Sequence, residues 1–255
     1  MEVKACGLSH VGRQRQHNED SFRVDEATRL FLVADGMGGH AAGEIASRIA
    51  AESVAEFVTN TEQDDGTWPY AYDETLTRAT NRLMAALKLA NTRVLEAMRK
   101  DTRLRGMGTT VVASLVDGNS ISVAHVGDSR AYLVRNGAIE RITDDHSWVF
   151  EQVQAGMLSA DEAERHPLRN VITRALGGAL TVVPDASEID LRDGDIFVLC
   201  SDGLTGMLPE PEILRIVSEN AGNLEAACQI LIDCANERGG YDNITAVLIK
   251  ATETQ

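Results

Sequence analysis

Hydrophobic positions fall into two patterns along the chain. Short apolar or alternating runs over residues 3–11, 21–24, 30–34, 109–117, 120–126, 130–135, 195–200 and 243–250 predict strands. Apolar residues spaced by three, four or seven predict helices. One runs over about 42–58, with Ala46, Ile49, Ala50, Val54, Phe57 and Val58 on its stripe. Another runs from an N-cap at Asp73 to about Lys100, with Leu76, Leu83, Leu87, Ala90, Val94 and Met98. Two more are predicted over 211–219 and 224–236. Asp117-Gly118 and Asn136-Gly137 are hairpin signals, so strands follow one another in antiparallel runs. That order argues against a parallel Rossmann-type sheet and for an α+β sandwich. Residues 144–178 are less regular, broken at Gly156 and Pro167, and read as an insertion over a sheet edge.

Acids recur where the apolar runs end. The run 30–34 stops at Asp35, followed by Gly36, Gly38 and Gly39. Gly127-Asp128-Ser129 lies between two strands, Ser201-Asp202-Gly203 ends another, and Tyr241-Asp242-Asn243 precedes the last. Glu19-Asp20 closes the first polar loop. Each acid alone reads as a turn residue. Together they predict carboxylates converging at one end of a sheet. Two carboxylates ~4 Å apart repel by roughly 4 kcal/mol at an effective dielectric of ~20, so the cluster calls for protons or cations. With oxygen donors and no His/Cys set at zinc spacing, the cation would be hard, Mg²⁺ or Mn²⁺. Two such ions would activate a water and clamp a phosphoryl group. Arg13 and Arg15 are the nearest guanidinium candidates for phosphate.

Composition narrows the alternatives. A chain of 255 residues buries ~70–75% of its unfolded surface and needs no staples. Its formal net charge of −15, without a basic run, argues against a nucleic-acid partner. Cys6, Cys200, Cys228 and Cys234 form no C-x-x-C pair and read as reduced, packed thiols. No apolar stretch reaches membrane-span length, and no secretory segment opens the chain, which predicts a cytoplasmic protein without a membrane partner. No cysteine has an arginine six positions on, and no G-x-x-x-x-G-K-[ST] loop is present. Asp193-Gly194-Asp195 precedes its strand and reads as a turn.

The ordered set Arg15…Asn18-Glu19-Asp20, Ala34-Asp35-Gly36-Met37-Gly38-Gly39, Gly108-Thr109-Thr110, Gly127-Asp128-Ser129-Arg130, Asp145-His146-Ser147, Ser201-Asp202-Gly203 and Tyr241-Asp242-Asn243 resembles the metal-dependent protein phosphatases, the protein phosphatase 2C-like family, in its bacterial serine/threonine branch. The resemblance spans nearly the whole chain. It implies one catalytic domain over 1–255, built as a four-layer α-β-β-α sandwich of two antiparallel sheets flanked by helices, with a flap at about 145–178. It implies two tightly bound Mn²⁺ or Mg²⁺ ions: Asp35 bridging both, Gly36 offering its carbonyl, Asp202 and Asp242 on one metal, and Glu19 on the other through water. Asp128 matches a ligand of a third, weaker metal, and Arg15 the phosphate-binding arginine. Eukaryotic members place histidine right after the Asp-Gly pair. Met37 stands there in this chain, which leaves His40 as the candidate general acid. The implied activity is hydrolysis of phosphoserine and phosphothreonine by direct attack of a metal-bridging hydroxide. The implied partners are phosphorylated proteins, among them a cognate serine/threonine kinase and its targets, with the chain acting as a monomer. An inactive phosphoprotein-binding regulator and a hydrolase of small phosphate esters are the rival readings.

Overall fold

The computed structural model describes residues 1–38, 42–62 and 68–253. Two antiparallel sheets lie face to face. The first has the order β1 (Glu2–His10), β11 (Ile244–Thr252), β10 (Ile196–Cys200), β7 (Arg130–Arg135), β8 (Ala138–Arg141). The second has the order β2 (Asp20–Asp25), β3 (Leu30–Met37), β5 (Val111–Asp117), β6 (Ser120–Val126), β9 (Asp185–Asp190). The short β4 (Gly108–Thr109) pairs with the end of β3.

Alternation along the strands makes three apolar layers. Phe31, Val33, Val112, Leu133, Phe197, Leu199 and Val247 fill the space between the sheets. The opposite face of β3, through Leu30, Leu32 and Ala34, packs on α1 (Ala42–Asn60) and α2 (Arg78–Lys100), where Val54, Val58, Leu83 and Leu87 are fully buried. Tyr132, Val198, Ala246 and Leu248 carry the outer face of the first sheet against α6 (Glu210–Glu219) and α7 (Leu224–Glu237). Because β3 is covered on both faces, its sequence is a continuous apolar run and not an alternating one. The four-layer sandwich expected from the sequence is the observed architecture.

Local differences have local causes. Helix α2 starts four residues later than expected, with Thr77 as its N-cap accepting from the Thr80 amide. Asp73 instead accepts from the amide and hydroxyl of Thr75, at 2.9 and 2.6 Å. Its short side chain closes a turn of its own and leaves Leu76 outside the helix. Strand β3 runs on through Asp35 and Gly36 to Met37, three residues past the last core apolar, Ala34, so the first acid sits within the sheet. The hairpin signals fold as read: Gly118, Asn136 and Gly137 all have positive φ.

The 145–178 segment connects the edge strand of one sheet to the edge strand of the other. It holds α3 (Trp148–Gln154), capped by Ser147, and α4 (Ala160–Glu164), which opens on a capping box between Ser159 and Glu162. Its two ends are stapled: Ser147 bridges to Ile172, and Thr109 to Leu176. Among the described residues, no helix is long and apolar enough to cross a membrane.

Candidate metal centre

Topology brings the acids to one end of the sandwich. The register of β2 with β3 sets Asp20 opposite Asp35, and Glu19 immediately precedes. In the other sheet Cys200 pairs with both Ala246 and Arg130. Asp202, opening α5 (Asp202–Thr205), therefore leaves the sheet where Asp242 enters it and beside the Gly127–Ser129 turn. These chain ends come close enough to need glycine. A Cβ on Gly36 would sit inside the Gly43 carbonyl, and one on Gly43 would meet Glu19 Oε1 at 2.7 Å.

A polar scaffold fixes them. The Asn243 side chain accepts from the Glu19 amide at 2.8 Å and donates to the carbonyls of Val11 and His17, both at 2.9 Å. The Gly36 amide donates to the Glu19 carbonyl at 3.1 Å. The Asp35 carbonyl accepts from the Thr110 amide and the Thr109 hydroxyl. Asp20, buried, accepts from Ser201 and Thr245 hydroxyls at 2.8 and 2.6 Å on one oxygen. Arg15 reaches across to Asp242 at 2.7 Å from a half-exposed position.

The electrostatics are those of an overcrowded anion site. Burial, then Asp20, Asp202, Asp128 and Asp242, push the Asp35 carboxyl well above its usual range. Burial raises Asp20 to about 7, against the hydroxyl bonds that favour its charge and with help from Asp202 and Asp242. Burial, with Asp202 and Asp145, raises Asp128 to about 7. Burial also raises Asp202 and Glu19. Without a counter-charge these groups hold protons. Among the described residues, one oxygen on each of Glu19, Asp20 and Asp202 is buried with no hydrogen-bond partner, a condition native proteins rarely tolerate. Oxygen donors, excess negative charge and orphaned carboxylate atoms fit hard divalent cations, and among the described residues no His or Cys belongs to the cluster.

The structure thus brings together Glu19, Asp35, Gly36, Asp128, Asp202 and Asp242, with Arg15 on their rim. Arg13 engages the loop through its backbone, its amide donating to the Gly240 carbonyl at 2.8 Å. His40 lies outside the described residues. Sequence reasoning left Asp20 and the scaffold of Asn243, Ser201, Thr245 and Thr110 out of the site. The signal for Asp20 was its place at the head of a strand pairing with the Asp35 strand.

A double antiparallel sheet flanked by helices, with an oxygen-rich acid cluster at one end, defines the metal-dependent phosphatase class. The Protein phosphatase 2C family matches residues 6–248, and the chain belongs to that family. It is 35% identical over 252 residues to the Listeria monocytogenes serotype 4b serine/threonine phosphatase stp, covering 96% of this chain and 94% of that one. It is also similar to the Mycobacterium tuberculosis serine/threonine phosphatase PstP/Ppp, with a TM-score of 0.87 and 35% identity over 99% of this chain and 100% of that one. The PstP catalytic domain solved in complex with two manganese ions superposes with a TM-score of 0.84 at 33% identity, covering 98% of this chain and 99% of that one.

Proposed function

We propose that this chain is a serine/threonine protein phosphatase, a hydrolase of phosphoserine and phosphothreonine that depends on Mn²⁺ or Mg²⁺. The observation that carries the reading is the crowd of carboxylates, three with buried oxygens orphaned among the described residues, with the half-exposed Arg15 guanidinium at their rim. Asp35, Asp202, Asp242, Glu19 and the Gly36 carbonyl would hold two ions, and Asp128 a third, weaker one. When bound, such ions supply an activated water and positive charge for the phosphoryl oxygens. The chain's own part is to hold these oxygens fixed and to grip the substrate phosphate with Arg15. That every acid of the set is present speaks against an inactive binding module. Phosphate release from a phosphothreonine peptide should require Mn²⁺ and stop with chelator. Release unaffected by chelator would sink the reading. We further propose one catalytic domain over 1–255, acting as a monomer in the cytoplasm on phosphoproteins that include a cognate kinase.

Two expected results follow from the geometry. Arg15→Ala should chiefly raise KM, because a phosphate grip exists already in the ground state. Arg15→Lys should restore only part, lacking the bidentate fork. Steady-state kinetics checks this, and a larger loss for Arg13→Ala would reassign the role. Asp128→Ala should leave the fold and tight Mn²⁺ binding intact yet lower kcat by tens-fold, about 2 kcal/mol of transition-state stabilisation. Calorimetric titration beside turnover separates that outcome from loss of the tight sites, which would make Asp128 a core ligand.

A further inference from the structure

His125, His146 and Asp185 place ligand atoms within 4.8 Å of one another, outside the acid cluster. They do not make a second metal site, because the hydrogen bonds commit the ring nitrogens. The Gly127 amide donates to His146 Nδ1 at 3.1 Å. That nitrogen is therefore bare, and Nε2 carries the proton it shares with Asp185 at 3.1 Å. The Nε2 of His125 likewise donates to the Asp144 carbonyl at 2.7 Å. A metal on His146 Nε2 would need both nitrogens to act as acceptors at once.

The same bonds describe a clamp. His146 is 1% exposed, and every polar group it has is used. Its amide donates to the Gly127 carbonyl at 3.0 Å, and its own carbonyl accepts from the Thr173 amide at 2.8 Å. Its ring takes the Gly127 amide on one side and holds Asp185 on the other. Asp185 is fixed in turn by both terminal guanidinium nitrogens of Arg174, at 2.9 and 3.2 Å. At the far end of the same turn, Arg130 grips Asp145 through two bonds of 2.8 and 2.6 Å. Residues 127–130, which carry Asp128, are therefore held at both ends by the neighbours Asp145 and His146. Only glycine fits at 127: its φ is +110°, and a Cβ there would strike Thr110.

We propose that His146 is a positioning residue. Its bare Nδ1 pins the Gly127 amide, holds the Asp128 carboxylate in register with the acid cluster, and ties that turn to both ends of the 145–178 segment. A misplacement of about 1 Å near reacting groups costs on the order of a hundredfold, so the clamp should be visible in turnover. The kinetic part rests on the phosphatase reading, while the spectroscopic part does not.

Asparagine and glutamine separate the two ring nitrogens. His146→Asn sets an acceptor where Nδ1 was and loses the bond to Asp185. His146→Gln sets a donor toward Asp185 and loses the acceptor for Gly127. His146→Asn should keep slow hydrogen exchange at the Gly127 amide and turnover within a few-fold of wild type. His146→Gln should speed that exchange and lower kcat by about ten- to a hundredfold with little change in KM. Equal losses in the two variants, or Gly127 exchange unaffected by either, would overturn the clamp. Should the variants not fold, nitrogen NMR on the wild-type protein decides. It should show His146 unprotonated at Nδ1, coupled through the hydrogen bond to the Gly127 nitrogen, and unmoved by added Zn²⁺. A proton on Nδ1, or a Zn²⁺-induced shift, would refute it. Wild-type protein without Mn²⁺-dependent turnover but with these nitrogen signals would defeat the phosphatase reading and leave the clamp standing.

Discussion

Asp35→Asn should abolish turnover and, in chelator, raise the melting temperature. The two effects share one cause. Burial, and then Asp20, Asp202, Asp128 and Asp242 around it, push the Asp35 carboxyl toward the neutral form. Asparagine keeps the shape and needs no proton, so the folded, metal-free chain no longer has to hold one on a carboxyl that is ionised when unfolded. The metal-free protein gains. The metal-loaded one would lose a carboxylate that would hold the ions, and kcat should fall by about a thousandfold or more, ~4 kcal/mol. Stability and activity then move in opposite directions, as they do where a site is built at the expense of the fold. Melts in chelator at pH 8, beside phosphate release with Mn²⁺, check both. A variant that melts lower than wild type in chelator, or keeps a tenth of its turnover, contradicts the placement of Asp35.

Metal-free protein should lose stability as pH rises from 6.5 to 8. Asp20 and Asp128 are raised to about 7 in the folded chain from about 4 when unfolded, and Asp35 is raised well above its usual range. In this window the unfolded chain has released protons that the folded chain still holds. Stability therefore falls as pH rises through the folded values. His125 and His146 act with the opposite sign, since burial lowers both, His146 to about 4. Their contribution grows only up to the unfolded histidine value of about 6.5 and is flat above it. The buried cysteines begin to matter only above about pH 8. Between those limits the acids alone should lower the melting point by a few degrees. Saturating Mn²⁺ should cancel or reverse the slope, because ligands must be deprotonated to bind. A metal-free melting point that is flat or rising over this range would show that the carboxylates are not crowded.

Much of this was legible in the chain. Asp117-Gly118 and Asn136-Gly137 located two hairpins because their turns demand positive φ. The acids stood out because each ends or precedes an apolar run that had to be a buried strand. Strand β9 was not legible: Asp185–Asp190 reads DASEID, an edge strand half open to water, with a single β-branched residue to mark it. Strand β8 escaped for the same reason. The role of Asp20 depends on cross-strand register with Asp35, and register is a tertiary property. His146 could be seen in Asp145-His146-Ser147, but its contact with Gly127 joins residues that only the fold brings together.

The central claim is that these acids form a divalent-metal centre, and Mn²⁺ titration of chelator-treated protein by calorimetry tests it most directly. Two tight ions should bind per chain at pH 7. Because Asp20, Asp35 and Asp128 are held toward their protonated forms, binding should release protons, read as a heat that varies with the ionisation enthalpy of the buffer. Asp35→Asn should lose the tight binding. No saturable binding, or binding of equal strength and stoichiometry in Asp35→Asn, would contradict the account.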